Sequence, residues 1–169
     1  MGLPSKLKNM NLFNNGLSYI GQVDSVTLPK LTRKREAYRG GGMNGEVKID
    51  MGMEAIDLEW QCGGFMVEVM KQFGLTTTDA LQLRFAGAYQ ADDTGEVTAV
   101  EILVHGSHEE LDGGDAKVGD ATEFKVKTNC SYYKLTVDGQ DVIELDFVNF
   151  IEIVDGVDRL ADIRAAMGV

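Results

Sequence analysis

The densest group of reactive side chains in the sequence is His105-Gly106-Ser107-His108-Glu109-Glu110. Two histidines three apart share a face only on a helix, and this stretch follows a strand-like segment and contains glycine. The zinc-protease order, His-Glu-x-x-His, is absent. The expected reading is the start of a solvated loop. That loop, Glu109 to Asp120, alternates Asp112, Asp115 and Asp120 with Gly113, Gly114 and Gly119. Calcium loops space their oxygens at alternate positions before a closing glutamate, and this spacing does not match. Gly40-Gly41-Gly42 lacks the Gly-Lys-Ser/Thr that completes a phosphate cradle, so it reads as a turn. No Gly-x-Ser-x-Gly elbow supports a nucleophilic serine. The carboxylates fall at exposed positions of the pattern, without the apolar surroundings that tune a general acid. No catalytic residue, cofactor or metal ligand is expected, and the chain reads as something other than an enzyme.

Charge is more informative than reactivity. The formal net charge is -11 and the sequence pI about 4.5. So acidic a surface repels nucleic acid and anionic membrane at long range. Against this, Lys30, Arg33, Lys34, Arg35 and Arg39, less Glu36, give one short stretch a net charge of +4, leaving -15 elsewhere. Residues 92–123 hold ten acidic side chains and one lysine, a net of -9. A basic arm on an acidic body suits copies that meet head to tail, arm of one on flank of the next. The alternatives are a solvated loop, or a nucleic-acid arm with Tyr38 as its sole interleaved aromatic.

The elements that carry these groups are mainly strands. Leu12-Phe13 and Leu17 to Val23 flank Asn14-Asn15-Gly16, and Tyr133 to Val137 and Gln140 to Leu145 flank Asp138-Gly139; both are hairpin signals. Val47, Ile49, Met51 and Met53 alternate with Glu46, Lys48, Asp50 and Glu54. Past Ala55 the apolar set moves to even positions, Ile56, Leu58, Trp60 and Cys62, which predicts a bulge or bend. Further alternation covers Leu81 to Tyr89, Val97 to Val104 and Thr122 to Cys130. Phe65, Met66, Val69, Met70 and Phe73 predict a short amphipathic helix, and residues 158–167 a C-terminal one with Asp158 as N-cap and Gly168 as stop. The expected fold is mainly β, a sandwich or rolled barrel of antiparallel strands with these two short helices. Its 169 residues form one domain in which residues 30–45 are a basic, glycine-rich extended loop or hairpin. Cys62 and Cys130 read as buried thiols, with one disulfide as the alternative. The start, Met1-Gly2-Leu3-Pro4-Ser5-Lys6, has no apolar stretch behind it, and no run approaches the length of a membrane span.

Several stretches together resemble the major tail tube proteins of contractile-tailed phages and their relatives in R-type pyocins. They are Asn11-Leu12-Phe13, Ser25 to Leu31, Tyr38 to Gly45, Ile49 to Glu54, Ser131 to Leu135, Val137-Asp138-Gly139, Gly156-Val157-Asp158 and Arg164. The likeness runs through nearly the whole chain and is weakest between Phe65 and Lys125. It implies a structural protein whose hexameric rings stack into a tube and whose strands close a continuous barrel around a bore. It also implies a surrounding sheath, baseplate and tail terminator partners, DNA passing through without specific binding, and assembly in the bacterial host cytoplasm into a virion. Candidate bore residues are Glu46, Lys48, Asp50, Glu123, Lys125 and Asn129, the alternative being that these faces meet solvent or sheath. Candidate inter-subunit residues are Lys30, Arg33, Lys34, Arg35, Tyr38 and Arg39. The rival functions are the tube of an R-type bacteriocin or other contractile injection system, and a monomeric β-sandwich that binds a ligand. The second would need a concave aromatic platform, whereas Trp60 falls on the apolar face of its strand.

Overall fold

The structure, a computed structural model, describes residues 2–169. Two long strands organise it, β8 (Val97–Asp112) and β9 (Phe124–Val137), paired antiparallel along most of their length. Each is too long to keep one set of neighbours. Along β9, residues 124–130 pair with β6 (Ile56–Cys62), and residues 132–137 pair with β10 (Gln140–Asp146). Along β8, the stretch up to Gly106 pairs with β7 (Leu81–Gln90), and past it the edge away from β9 has no strand beside it among the described residues.

The sheet therefore divides into two leaves. The first runs β3 (Val23–Thr27), β6, the first half of β9 and the second half of β8. The second runs from β1 (Lys6–Asn14) and β2 (Leu17–Ser18) through β7, β8, β9 and β10 to β11 (Ile151–Val154) and β12 (Val157–Asp158). The bend between them is built at the residues where the register slips, His105/Gly106 on β8 and Ser131 opposite. Buried positions on β9 are even-numbered up to Cys130 and odd from Tyr133, so the extra residue turns the strand while keeping one face inward. Glycine is required at the corner: a Cβ on Gly106 would lie 1.8 Å from the Asn129 carbonyl oxygen. Between the leaves lies a core that includes Leu12, Leu58, Trp60, Leu83, Phe85, Val104, Phe124 and Val126.

The mainly β, antiparallel fold matches the pattern of the sequence, with four local differences. The internal helix is a single turn, α1 (Val67–Met70); Met66 and Val69 are buried, but Phe65, Met70 and Phe73 face outward. The histidine-rich stretch is not a loop, because β8 continues to Asp112 and the acidic loop is confined to 113–123. The C-terminal helix α2 (Ala161–Met167) is entered through Leu160; Asp158 instead ends β12, accepts the Leu160 N–H at 3.1 Å and pairs with Arg164. Gly168 does end α2, in a left-handed conformation. Finally, the apolar shift at Ala55 is the junction where the chain leaves a separate hairpin, β4 (Arg33–Tyr38) and β5 (Val47–Met53), and enters the body. Both expected turns form, with positive φ at Asn15-Gly16 and Asp138-Gly139.

Candidate functional site: assembly surfaces

The two histidines part company on the strand that carries them. His108 turns inward and is buried, while His105 lies on the other face with its ring edge-on to Tyr132 at 5.0 Å. Among the described residues no group of three or more histidine, cysteine, aspartate or glutamate side chains converges as a metal site would require. His108 instead sits in a chain of buried polar groups. The Gln72 carbonyl oxygen can only accept, so His108 Nε2 donates to it at 3.0 Å, leaving Nδ1 to accept from the Thr128 hydroxyl at 2.9 Å. Thr128 Oγ1 lies 3.5 Å from Trp60 Nε1–H, and the Gln72 amide exchanges hydrogen bonds with Asn14 at 2.7 and 3.0 Å. Burial pushes the His108 pKa down to about 4. This network ties the α1 segment to β1, β8 and β9. Its only trace in the sequence is that His108 and Thr128 share the parity of apolar neighbours. Cys62 and Cys130 are both buried free thiols, with burial pushing them up to about 11 and about 12.

The hairpin β4–β5 forms a two-stranded sheet of its own: among the described residues neither strand pairs with a third, and Met53 at its base packs against the core. Cross-strand partners share a face, so Tyr38 with Val47 and Glu36 with Ile49 lie on one side, and Arg35 with Asp50 and Ala37 with Lys48 on the other. The apolar side is open: Tyr38, Val47, Ile49 and Met51 are each between 45% and 56% exposed. One latch holds the hairpin base. Arg33 bridges Glu152 of β11, whose side chain is nearly buried, and Asp50 of β5 at 3.0 Å. Of the six candidate contact residues, Arg33 is thus engaged within its own chain. Lys34 and Arg35 have no carboxylate in ion-pair distance among the described residues, and Arg39 donates to the Met43 carbonyl at 3.2 Å. Lys30 lies on the link into the hairpin.

The outward face of the first leaf is polar in every cross-strand row. Ser25, Gln61, Lys125 and Asp112 form one row; Thr27, Glu59, Lys127 and Glu110 the next; Asp57, Asn129 and Ser107 the third. Its lysines are neutralised in place: Lys127 pairs with Glu109 at 3.1 Å and Asp57 at 4.0 Å, and Lys125 with Glu123 at 3.6 Å. Lys125 and Asn129 therefore share a face with Glu123 at its margin, whereas Glu46, Lys48 and Asp50 belong to the hairpin and are not brought to it. Among the described residues both edges of this leaf, the outer side of β3 and the outer side of β8 past Gly106, lack a strand partner. Alternation alone did not reveal which edges stay open, because an unpaired strand reads like a paired one.

Residues 4–168 match the family model of phage tail tube protein FII. Across 100% of both chains the sequence is 49% identical to the tail tube protein of Escherichia phage P2. It is 39% identical to the major tail tube protein of Serratia phage KSP20, over 100% of this chain and 99% of that one. The fold resembles the solved sheath-tube complex of an extracellular contractile injection system, with a TM-score of 0.60 over 79% of this chain and 91% of that one at 13% identity. It also resembles the tube-terminating cap of the anti-feeding prophage, with a TM-score of 0.60 over 80% and 93% at 14% identity. A buried polar network, a projecting hairpin and two open strand edges thus sit on a chain that belongs to the phage tail tube protein FII family, a family of structural tail-tube proteins and not of enzymes.

Proposed function

We propose that six copies close into a ring by joining the open edge of β3 on one copy to the open edge of β8 on the next, and that rings stack into the conduit through which DNA leaves a contractile phage tail. The observation that carries this reading is the four-stranded first leaf with its two free edges. Each strand in it is antiparallel to its neighbour, so an even count of four puts β3 and the far end of β8 in opposite senses. Joining them continues an antiparallel sheet without a break. Closure also removes edges that otherwise invite uncontrolled pairing. Six leaves give about 24 strands, a barrel roughly 40 Å across at its backbone, which leaves an open bore rather than a packed core.

In such a ring one face of the leaf must line the bore, and the polar face with Lys125, Asn129 and Glu123 suits it. The rows above carry Asp57, Glu59, Glu110 and Asp112 against Lys125 and Lys127, a net of -2 per copy. DNA meets a surface whose cations are already paired with carboxylates, so it slides instead of being gripped. Glu46, Lys48 and Asp50 then belong to the hairpin and lie outside the bore-lining face. Sheath, baseplate and tail terminator are the further partners, and the host cytoplasm is the site of assembly. Both relatives named above are phage proteins, which favours a DNA conduit over a genome-free tube.

Amide exchange compared between dispersed subunits and polymerised tubes tests the ring closure. Protection is expected to rise along residues 23–27 and 107–112. Tubes that form while both segments exchange as freely as before would refute this edge pairing, and concentrated chain that stays monomeric beside its baseplate partners would refute the tube itself.

A further inference from the structure

At five steps of the sequence a side-chain carbonyl carbon is followed by an unshielded glycine nitrogen: Asn15-Gly16, Asn44-Gly45, Asp112-Gly113, Asp138-Gly139 and Asp155-Gly156. That nitrogen can attack the preceding side chain and close a cyclic imide, since glycine has no Cβ to crowd the approach. The three aspartates are poor substrates at neutral pH, because an ionised carboxylate is a weak electrophile without a good leaving group. The two asparagines differ in their surroundings. Asn15 is held by the sheet: its N–H donates to the Gln82 carbonyl at 2.8 Å, and its side-chain carbonyl accepts the Gln82 N–H at 2.9 Å. Its side chain is thus tied to β7 and not free to turn to its own Gly16. Asn44 lies on the link between β4 and β5, just past a turn in which Met43 N–H donates to the Gly40 carbonyl at 3.2 Å and Arg39 Nε–H to the Met43 carbonyl at 3.2 Å. Asn44 and Gly45 are both exposed, and among the described residues no hydrogen bond holds the Asn44 side chain. A Cβ built on Gly45 would meet nothing within 4 Å, so the space about it is open.

We infer that Asn44 is a site of spontaneous deamidation and that Asn15, with the same following residue, is protected by the fold. The Gly45 nitrogen, deprotonated by hydroxide, bonds to Asn44 Cγ; the Cγ–Nδ2 bond breaks and ammonia leaves. Water then opens the imide at one of its two carbonyls, giving aspartate or isoaspartate with no change of oxidation state. The product puts a carboxylate on the link of the basic hairpin, so residues 30–45 fall from a net +4 to +3. Isoaspartate also routes the main chain through the former side chain and lengthens the link. The basic arm therefore carries a slow, irreversible change of charge and backbone that needs no enzyme and does not depend on the ring or tube. Reaching the attacking geometry at Asn15 first costs its bond to Gln82, which makes that site about tenfold slower or more.

Peptide mapping of dispersed subunits aged in mildly alkaline buffer tests it, with labelling by an isoaspartyl methyltransferase as a second readout. Aspartate and isoaspartate are expected at position 44, accumulating about tenfold or more faster than at 15. The rate should rise with pH, because hydroxide supplies the base. Equal rates at the two positions, or a faster reaction at 15, overturn the inference. In chain unfolded by urea the two positions should react alike. A preference for 44 that survives unfolding would make it a property of the local sequence and overturn protection by the fold. Gly45→Ala, whose added methyl finds open space, should keep the urea midpoint and slow the reaction at 44 about tenfold or more by crowding the nitrogen. Unchanged deamidation in that variant would rule out attack by the nitrogen of residue 45.

Discussion

His108 shows how one buried side chain can limit the pH range of a subunit. Its ring is neutral, donates to Gln72 and accepts from Thr128, and every polar atom buried beside it has a partner. Protonation adds a donor at Nδ1, where a hydroxyl already donates, and places a charge in the core. Burial holds its pKa near 4, below the ordinary value of 6.5. The unfolded chain therefore binds more protons between those values, and stability falls as pH drops from 6.5 towards 4. Between pH 7.5 and 5 the loss from this group is about 2 kcal/mol. Urea midpoints of dispersed subunits check it: His108→Gln should lose about 2 kcal/mol less than wild type over the same interval, and equal losses would remove His108 as the cause.

An isolated two-stranded ribbon is marginal in water, and among the described residues β4–β5 pairs with no third strand. The latch at its base therefore determines where the hairpin points. Arg33→Met leaves the Glu152 carboxylate nearly buried without a cation, whereas Glu152→Gln keeps an acceptor for the guanidinium. Arg33→Met should cost the greater amount, about 2 kcal/mol once the partial exposure of the arginine is allowed for. Both variants should speed amide exchange over residues 33–38 and 47–53 while the core strands keep their protection. Unchanged exchange in the hairpin would show that something other than this ion pair holds it.

For the whole molecule, the arrangement of charge outweighs its sum. In the proposed ring, six copies of a face at -2 give -12, and Glu59→Lys with Glu110→Lys reverses this to +2 per copy and +12 per ring. Tubes of the wild-type chain are expected to retain no DNA. Tubes of this variant should retain it, with affinity that falls steeply as salt rises. A filter-binding titration at two ionic strengths reads the difference. If the variant tubes hold no more DNA than wild type, the first leaf does not line the bore.

Much of this architecture is local and so could be read from the chain alone. Period-two alternation marked most of the strands, Asn15-Gly16 and Asp138-Gly139 their turns, and the charge of residues 30–39 a separate arm, because each follows from neighbouring residues and backbone sterics. The ordered stretches from Asn11 to Arg164 carried the family. Tertiary structure decided what depends on distant residues. Local pattern puts His108 at the start of a loop, whereas it lies in the core, where Thr128 and Gln72 make a buried imidazole tolerable. Asp158 serves β12 and Arg164 instead of capping the helix, and Arg33, grouped by sequence with the free cations, is held by Glu152, 119 residues away. The open edges of β3 and β8 could be found only in the assembled sheet, since whether a strand has a neighbour is a property of the fold and not of the strand.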